Sequence, residues 1–479
     1  MNDMILILDS TQEYGQEIAR KLRAEGIFAQ AAKAGMTAEE ICAYDARGVI
    51  LCGAAYAQNA ALDEVIAGLD IPVLAIGQAA YGLLGALGGA NAGVAISEKK
   101  AQVTYGKSAL FTGICDGERF FEEAQTLMLP ANVEQTASAG SCTIAFEDAQ
   151  GKRYGVQFDL ERNDPEGSAI LTNFVMDICG CSRGWSMENA LGQAENALGE
   201  AAAKGGHAVC AVSGGLDSTL CALLAYRAFG ERMTAIFVDT GLMREGEADE
   251  VRENMAALGI PTLCVDRSGE ILKSLTGKRD MEEKRRIVED CLYEEILAQS
   301  RTIEGEKTLI LGTNYSDYLE SGSGAGKWQE SGMNVCEPLA MIFKEEIRAI
   351  AQMLNMGDVL VSRKPFPALG LGARIVGAVN AKRLHALRLA ERIFREEICA
   401  VGLDRKLYKY FPVIIGGEAL GPELMVLRAV TLSGGQLTPA RLPYDLVERT
   451  VAKIREDLPE ISRVLYDQTP TALAQETFY

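Results

Sequence analysis

Residues 209–224 read Val209-Cys210-Ala211-Val212-Ser213-Gly214-Gly215-Leu216-Asp217-Ser218-Thr219-Leu220-Cys221-Ala222-Leu223-Leu224. An apolar run, a pair of glycines and a second apolar run predict a strand, a tight turn and a helix. Two adjacent glycines let the backbone approach an anion closely, and the start of a helix adds unpaired N–H donors and the positive end of its dipole. Ser213, Ser218 and Thr219 add hydroxyl donors, and Asp217 is a carboxylate able to hold Mg²⁺ against the same anion. Gly-Gly followed by Asp-Ser also makes an ordinary turn with a helix N-cap. Hydroxyls on both sides of the glycines, between a strand and a helix, favour a loop built for pyrophosphate. No lysine follows the second glycine, so this is not the Gly-x-x-x-x-Gly-Lys-Ser/Thr cradle.

Working outward, the chain alternates strands with helices. Apolar runs at 4–9, 48–53 and 72–77 predict buried parallel strands, the last two ending at Gly53 and Gly77, with a helical pattern over 14–25. Beyond Gly184-Trp185 a second unit holds the opening loop and further strands at 235–239 and 308–312. This layout predicts doubly wound α/β sheets with ligands at the carboxyl ends of the strands. Dense proline and glycine at 364–372 predict a linker or a ligand-facing loop. Helices and a strand-like stretch at 410–415 follow, the size of a small α+β domain. Three domains are expected: 1–183, 184–364 and 365–479.

Composition narrows the function. The chain has 479 residues, more than one hydrophobic core serves. A net charge of −19 argues against nucleic acid as the main partner, since a phosphate-tracking surface needs an excess of Lys and Arg. No stretch is apolar enough to span a bilayer, and Met1-Asn2-Asp3-Met4 lacks the basic region of a signal peptide, so a cytoplasmic protein without membrane partners is expected. The 12 cysteines form no Cys-x-x-Cys pair, which excludes zinc-ribbon and thioredoxin readings. They are expected to be mostly small buried hydrophobes. His207 and His385 are the sole histidines, too little material for histidine-based catalysis.

The Ser-Gly-Gly-x-Asp-Ser loop is similar to that of the ATP pyrophosphatases, which cleave ATP to AMP and pyrophosphate while adenylating an acceptor oxygen. Over nearly its whole length the chain resembles the GMP synthases. Their order is class I amidotransferase, ATP pyrophosphatase, dimerisation domain. The resemblance rests on Phe237-Val238-Asp239-Thr240-Gly241-Leu242-Met243-Arg244 and on Gly312-Thr313-Asn314-Tyr315-Ser316-Asp317, where Ser316 replaces a family proline. It continues through Glu337-Pro338-Leu339, Phe343-Lys344-Glu345-Glu346, Arg363-Lys364-Pro365-Phe366-Pro367, Leu442-Pro443-Tyr444-Asp445 and Ile461-Ser462-Arg463-Val464-Leu465-Tyr466-Asp467.

It implies two doubly wound parallel-sheet domains, amidotransferase-like and adenine-nucleotide α-hydrolase-like, then a small α+β dimerisation domain. It also implies a homodimer using ATP and Mg²⁺: ATP adenylates the O2 of xanthosine monophosphate, and ammonia then displaces AMP to give GMP. Asp217 would hold the Mg²⁺, and Ser213, Gly214, Gly215, Leu216, Ser218 and Thr219 the pyrophosphate. Val238, Asp239, Gly312, Thr313 and Asp317 would complete the ATP site. A Phe-Lys-Glu-Glu segment on a helix also fits a solvated charged face, while the resemblance makes Lys344 a cation near the phosphates.

Departures from the family pattern fall in two places. Where the family carries the nucleophile elbow Gly-x-Cys-x-Gly, this chain reads Ala75-Ile76-Gly77-Gln78-Ala79. Gly155-Val156-Gln157-Phe158-Asp159-Leu160-Glu161 puts Asp159 at the histidine and keeps Glu161, and Cys52-Gly53-Ala54-Ala55 stands for a Gly-Gly-Pro. Without thiol or imidazole no glutaminase activity is expected. Cys52 is no substitute, having no histidine in the domain to lower its pKa. The ammonia would be free or supplied by another protein. On the acceptor side, the lid at 327–333 is short and has no histidine, Ala368 replaces a glycine, and the ending at 471–479 lacks the family's phosphate-binding lysine. Three readings stay open: an ammonia-dependent GMP synthase, a paralogous adenylating ligase with another acceptor, and a silent nucleotide-binding scaffold.

Overall fold

The computed structural model describes residues 3–470 apart from 10–12, 54–64, 66–67, 97–98, 149, 151, 161–164, 322–325, 362, 364–365, 367–368, 418–420 and 434–435. The chain forms two compact units, Met1–Ala190 with Tyr315–Gly322, and Leu191–Asn314 with Ser323–Tyr479.

The first unit is built on a nine-stranded sheet. Five strands are parallel, in the spatial order Phe28–Lys33, Met4–Asp9, Gly48–Cys52, Val73–Ile76 and Arg153–Val156. Met4–Asp9, Gly48–Cys52 and Val73–Ile76 are buried at every position, as strands covered on both faces must be. Four antiparallel strands, Cys142–Asp148, Glu134–Ala139, Lys100–Tyr105 and Gly117–Phe120, extend one edge. Trp185 closes this unit, its N–H donating to Gly26 O at 2.7 Å and its ring 4.7 Å from Phe28. Arg23 lies over the rings of Phe28, Trp185 and Tyr315, at 4.9, 4.9 and 5.0 Å. The compact unit therefore runs to Ala190 and takes in Tyr315–Gly322, from the middle of the segment expected as the second domain.

The second unit holds a five-stranded, wholly parallel sheet in the order Thr262–Asp266, Met233–Asp239, His207–Val212, Lys307–Ile310, Asn334–Cys336. The chain enters in the middle, winds outward over two strands, then crosses back to the other side of His207–Val212. Strand order reverses between His207–Val212 and Lys307–Ile310, where a doubly wound sheet opens a crevice at its carboxyl edge. The 213–219 loop leaves His207–Val212 at that point.

A second sheet in this unit is centred on Gly421–Ser433, with the helices Ala381–Ala400 and Tyr444–Asp457 packed near it. One continuous apolar core runs from Leu242, Ile271 and Leu275 to Leu387, Phe394, Met425 and Leu446. The Gly-rich end of the 364–372 stretch is consequently docked rather than free, contrary to a linker. Gly370 (φ +60) would bring a Cβ within 2.5 Å of Leu242 O, and Leu371 N–H donates to the same carbonyl at 2.7 Å. Lys364, Pro365, Pro367 and Ala368 lie outside the described residues.

The cysteines also depart from expectation. Cys52, Cys179, Cys181, Cys210 and Cys221 are buried, whereas Cys42, Cys115, Cys264 and Cys399 are exposed. Cys42 and Cys399 lie at helix ends, Cys115 lies between elements, and Cys264 is on the edge strand Thr262–Asp266. Among the described residues no helix is long and apolar enough to cross a membrane.

Candidate functional site

The loop after His207–Val212 takes a shape that glycine alone permits. Gly214 has φ +80, and a Cβ there would lie 2.2 Å from Val251 Cγ2. Gly215 is the N-cap of Leu216–Phe229 and offers no side chain to cap it. The first N–H groups of that helix lack intrahelical partners, and Leu216 buries its side chain beneath them. The hydroxyls hold the loop to itself. Ser213 Oγ and Ser218 Oγ are 3.0 Å apart, Ser213 N–H donates to Ser218 Oγ at 3.1 Å, and Thr219 Oγ1 donates to Gly215 O at 2.8 Å. Ser213 is exposed, while Thr219 is only 2% exposed.

Asp217 lies in the first turn of the helix, and two other segments converge on it. Lys344 Nζ donates to Asp217 Oδ2 at 2.5 Å and Asn314 Nδ2 donates to the same oxygen at 3.1 Å. Asp217 Oδ1 is buried with no hydrogen-bond partner among the described residues. A buried, unpartnered carboxylate oxygen is costly unless something takes it up, and a hard cation with oxygen ligands is the natural occupant. The donor set at this position therefore fits Mg²⁺.

Local structure explains the convergence. Lys344 is the first residue of Lys344–Met353, whose N-terminus is shaped by Phe343 N–H donating to Glu346 Oε2 at 2.8 Å. Asn314 follows Lys307–Ile310, and Gly312 makes the approach possible, since a Cβ there would be 3.0 Å from Ser218 backbone atoms. Thr313 Oγ1 donates to Glu337 Oε1 at 2.6 Å.

Val238 is buried at the end of Met233–Asp239, and Asp239 Oδ1 accepts from Gly241 N–H at 2.8 Å. Beside Asp239 opens a cavity of about 640 Å³ lined in part by Met243, Ser268 and Arg388. Arg388 is already engaged by the carbonyls of Gly241 and Met243, and burial lowers its pKa. Asp317 lies on the helix Tyr315–Ser321, which belongs to the first unit. Asn314 and Arg363 were not singled out from sequence. Asn314 sits at the variable position of its motif, Arg363 at the head of another, and their contacts span 97 and 149 residues.

In the first unit Gly77 links Val73–Ile76 to the helix Ala79–Ala86 at φ +61, and among the described residues no atom other than those of its chain neighbours lies within 4 Å of where its Cβ would stand. The sharp strand-to-helix bend is present, without a side chain at its apex. Asp159 is buried, its N–H donating to Phe120 O at 3.0 Å. Cys52 is buried, with Sγ donating to Leu8 O at 3.7 Å. Glu161, Ala54 and Ala55 lie outside the described residues, as does the ending 471–479. In the short helical segment Gly326–Ser331, Trp328 packs on Tyr293 with ring centroids 4.5 Å apart.

The family model for NAD synthase matches residues 191–377. Over 504 residues the chain is 34% identical to GMP synthase [glutamine-hydrolyzing] of Geobacillus kaustophilus (strain HTA426), covering 98% of each chain. It is 32% identical over 505 residues to the protein of the same name from Bacillus cytotoxicus, covering 98% of this chain and 97% of that one.

Proposed function

The chain belongs to the GMP synthase family and is an ATP-dependent ligase, and from that premise we propose that it adenylates a carbonyl oxygen of xanthosine monophosphate or a related acceptor. Ammonia, free or delivered by another protein, then displaces AMP. The observation that carries this reading is the Asp217 cluster: a buried Oδ1 with no hydrogen-bond partner among the described residues, with Lys344 and Asn314 on Oδ2, at the N-terminus behind the glycine loop.

In the adenylation step the acceptor oxygen attacks the α-phosphorus and the bond to pyrophosphate breaks. The N–H groups of Gly215 and Leu216 and the helix dipole stabilise the charge that builds on the leaving pyrophosphate. Lys344 is within reach to share that charge. Val238 and Asp239 border the adenosine side, with Gly312 and Thr313 in the turn that follows Lys307–Ile310. Asp217 would hold Mg²⁺, which when bound supplies charge neutralisation on the phosphates.

The proposed absence of glutaminase activity rests on Gly77, which presents no nucleophile, and on Asp159 in place of an imidazole. Both histidines of the chain belong to the second unit, at 207 and 385. Purified protein given glutamine is expected to release no ammonia above the solvent background. We further propose the segments 1–183, 184–364 and 365–479 as the functional domains, the last as the dimerisation surface of a cytoplasmic homodimer.

The test measures pyrophosphate release from ATP, Mg²⁺ and ammonium, with and without xanthosine monophosphate. GMP formation is the expected result, and Asp217→Asn should lower the rate by at least roughly a hundredfold. Full activity of that variant would remove Asp217 from the metal role. A second reading, a different carbonyl acceptor, is favoured by the sequence at 471–479, which lacks a lysine for the nucleotide phosphate. Pyrophosphate release with another acceptor alone would select it.

A further inference from the structure

We propose that Arg363 is a positioning residue of the pyrophosphate loop, holding the peptide between Gly214 and Gly215 so that the Gly215 N–H stays aimed at the anion. This rests on the pyrophosphate chemistry proposed above. Arg363 Nη1 donates to Gly214 O at 2.6 Å, from a side chain only 15% exposed. Its Nη2 donates to Glu247 Oε1. Glu247 is itself buried at 4% exposure, and its Oε2 accepts the Arg244 N–H at 2.9 Å. Arg244 in turn pairs with Glu391 at 3.2 Å, on the helix Ala381–Ala400.

The physical argument follows from one peptide plane. In a trans peptide the C=O of Gly214 and the N–H of Gly215 point in opposite directions. A guanidinium fastened to the carbonyl on one side therefore fixes the N–H on the other. Such a restraint matters most between two glycines, where no Cβ opposes a flip of the peptide. A flipped peptide would present a carbonyl oxygen to the phosphates instead of a donor. Among the described residues the Gly215 N–H reaches Ser213 Oγ, at 3.3 Å, a long contact that a phosphate oxygen displaces readily. The planar fork suits the task because one arm takes the carbonyl while the other is anchored on Glu247.

The test separates this loop from the adenosine side by titrating the full-length protein with inorganic pyrophosphate plus Mg²⁺, and separately with AMP, in a calorimeter. Arg363→Ala is expected to weaken pyrophosphate roughly ten- to hundredfold and AMP less than about twofold. Added guanidinium ion should restore part of the lost pyrophosphate affinity, which a merely structural defect would not allow. If Arg363→Ala does not fold, Arg363→Lys takes its place. That variant supplies one donor without the fork, so an intermediate loss for pyrophosphate and none for AMP is expected. Equal losses for both ligands, or unchanged pyrophosphate affinity in whichever variant folds, would overturn the proposal. Parent protein that binds pyrophosphate but releases none from ATP with any acceptor would sink the ligase reading while leaving the clamp standing.

Discussion

Gly214 concentrates the constraints on the loop at a single residue. Its φ of +80 lies in the left-handed region, and a Cβ would stand 2.2 Å from Val251 Cγ2. Gly214→Ala is therefore expected to cost about 1–3 kcal/mol of stability and to abolish pyrophosphate binding, read by thermal melting and calorimetry. Adding Val251→Ala removes the clash but not the backbone strain, so the double variant should recover only part of the stability. Full recovery would show that the φ requirement is unimportant. The glycine pair was legible in sequence because it is a local, residue-type signal. Its partner Arg363 was not, since nothing near position 363 announces a carbonyl acceptor 149 residues earlier.

Among the elements, the helix Tyr315–Ser321 is the least predictable. Seven residues do not hold a helix in isolation. Tyr315 anchors it in the first unit: the ring is fully buried, the hydroxyl donates to Ala31 O at 2.8 Å, and Ala31 N–H donates back to it. Burial pushes this phenol well above the usual tyrosine range. Tyr315→Phe keeps the ring but leaves both Ala31 groups without this partner, a loss of about 1–3 kcal/mol. Urea unfolding followed by tryptophan fluorescence checks it, because Trp185 lies on the same Arg23 as Tyr315. An unchanged midpoint would remove the hydroxyl from the anchor. In sequence, 312–317 reads as one motif. The fold divides it, with Asn314 on Asp217 in the second unit and Tyr315 in the first.

At the scale of the whole molecule, the acidic chain buries one amine completely among the described residues. Lys284 is 0% exposed, its Nζ donating to Ile375 O at 2.8 Å, and burial together with the nearby Arg383 lowers its pKa to about 8. The unfolded chain keeps this proton up to about 10.5, whereas the folded chain releases it near 8. Between those values the unfolded state binds more protons, so this amine makes stability rise with pH there, by at most about 3 kcal/mol. Lys284→Met should lose that rise, measured as the difference in urea midpoints at about pH 7 and about pH 10. A slope equal to the parent's would show that the amine stays charged. The sequence by itself determined the α/β alternation, the strand–glycine turn–helix at 213–219 and the lack of thiol and imidazole at Gly77 and Asp159, because each is carried by local periodicity or by residue type. Tertiary structure alone decided that Lys344 and Asn314 meet on one oxygen of Asp217, that Arg363 holds Gly214, and that the 369–374 stretch is core. Those contacts cross 97, 127 and 149 residues, and strand order brings them together, which no local pattern encodes.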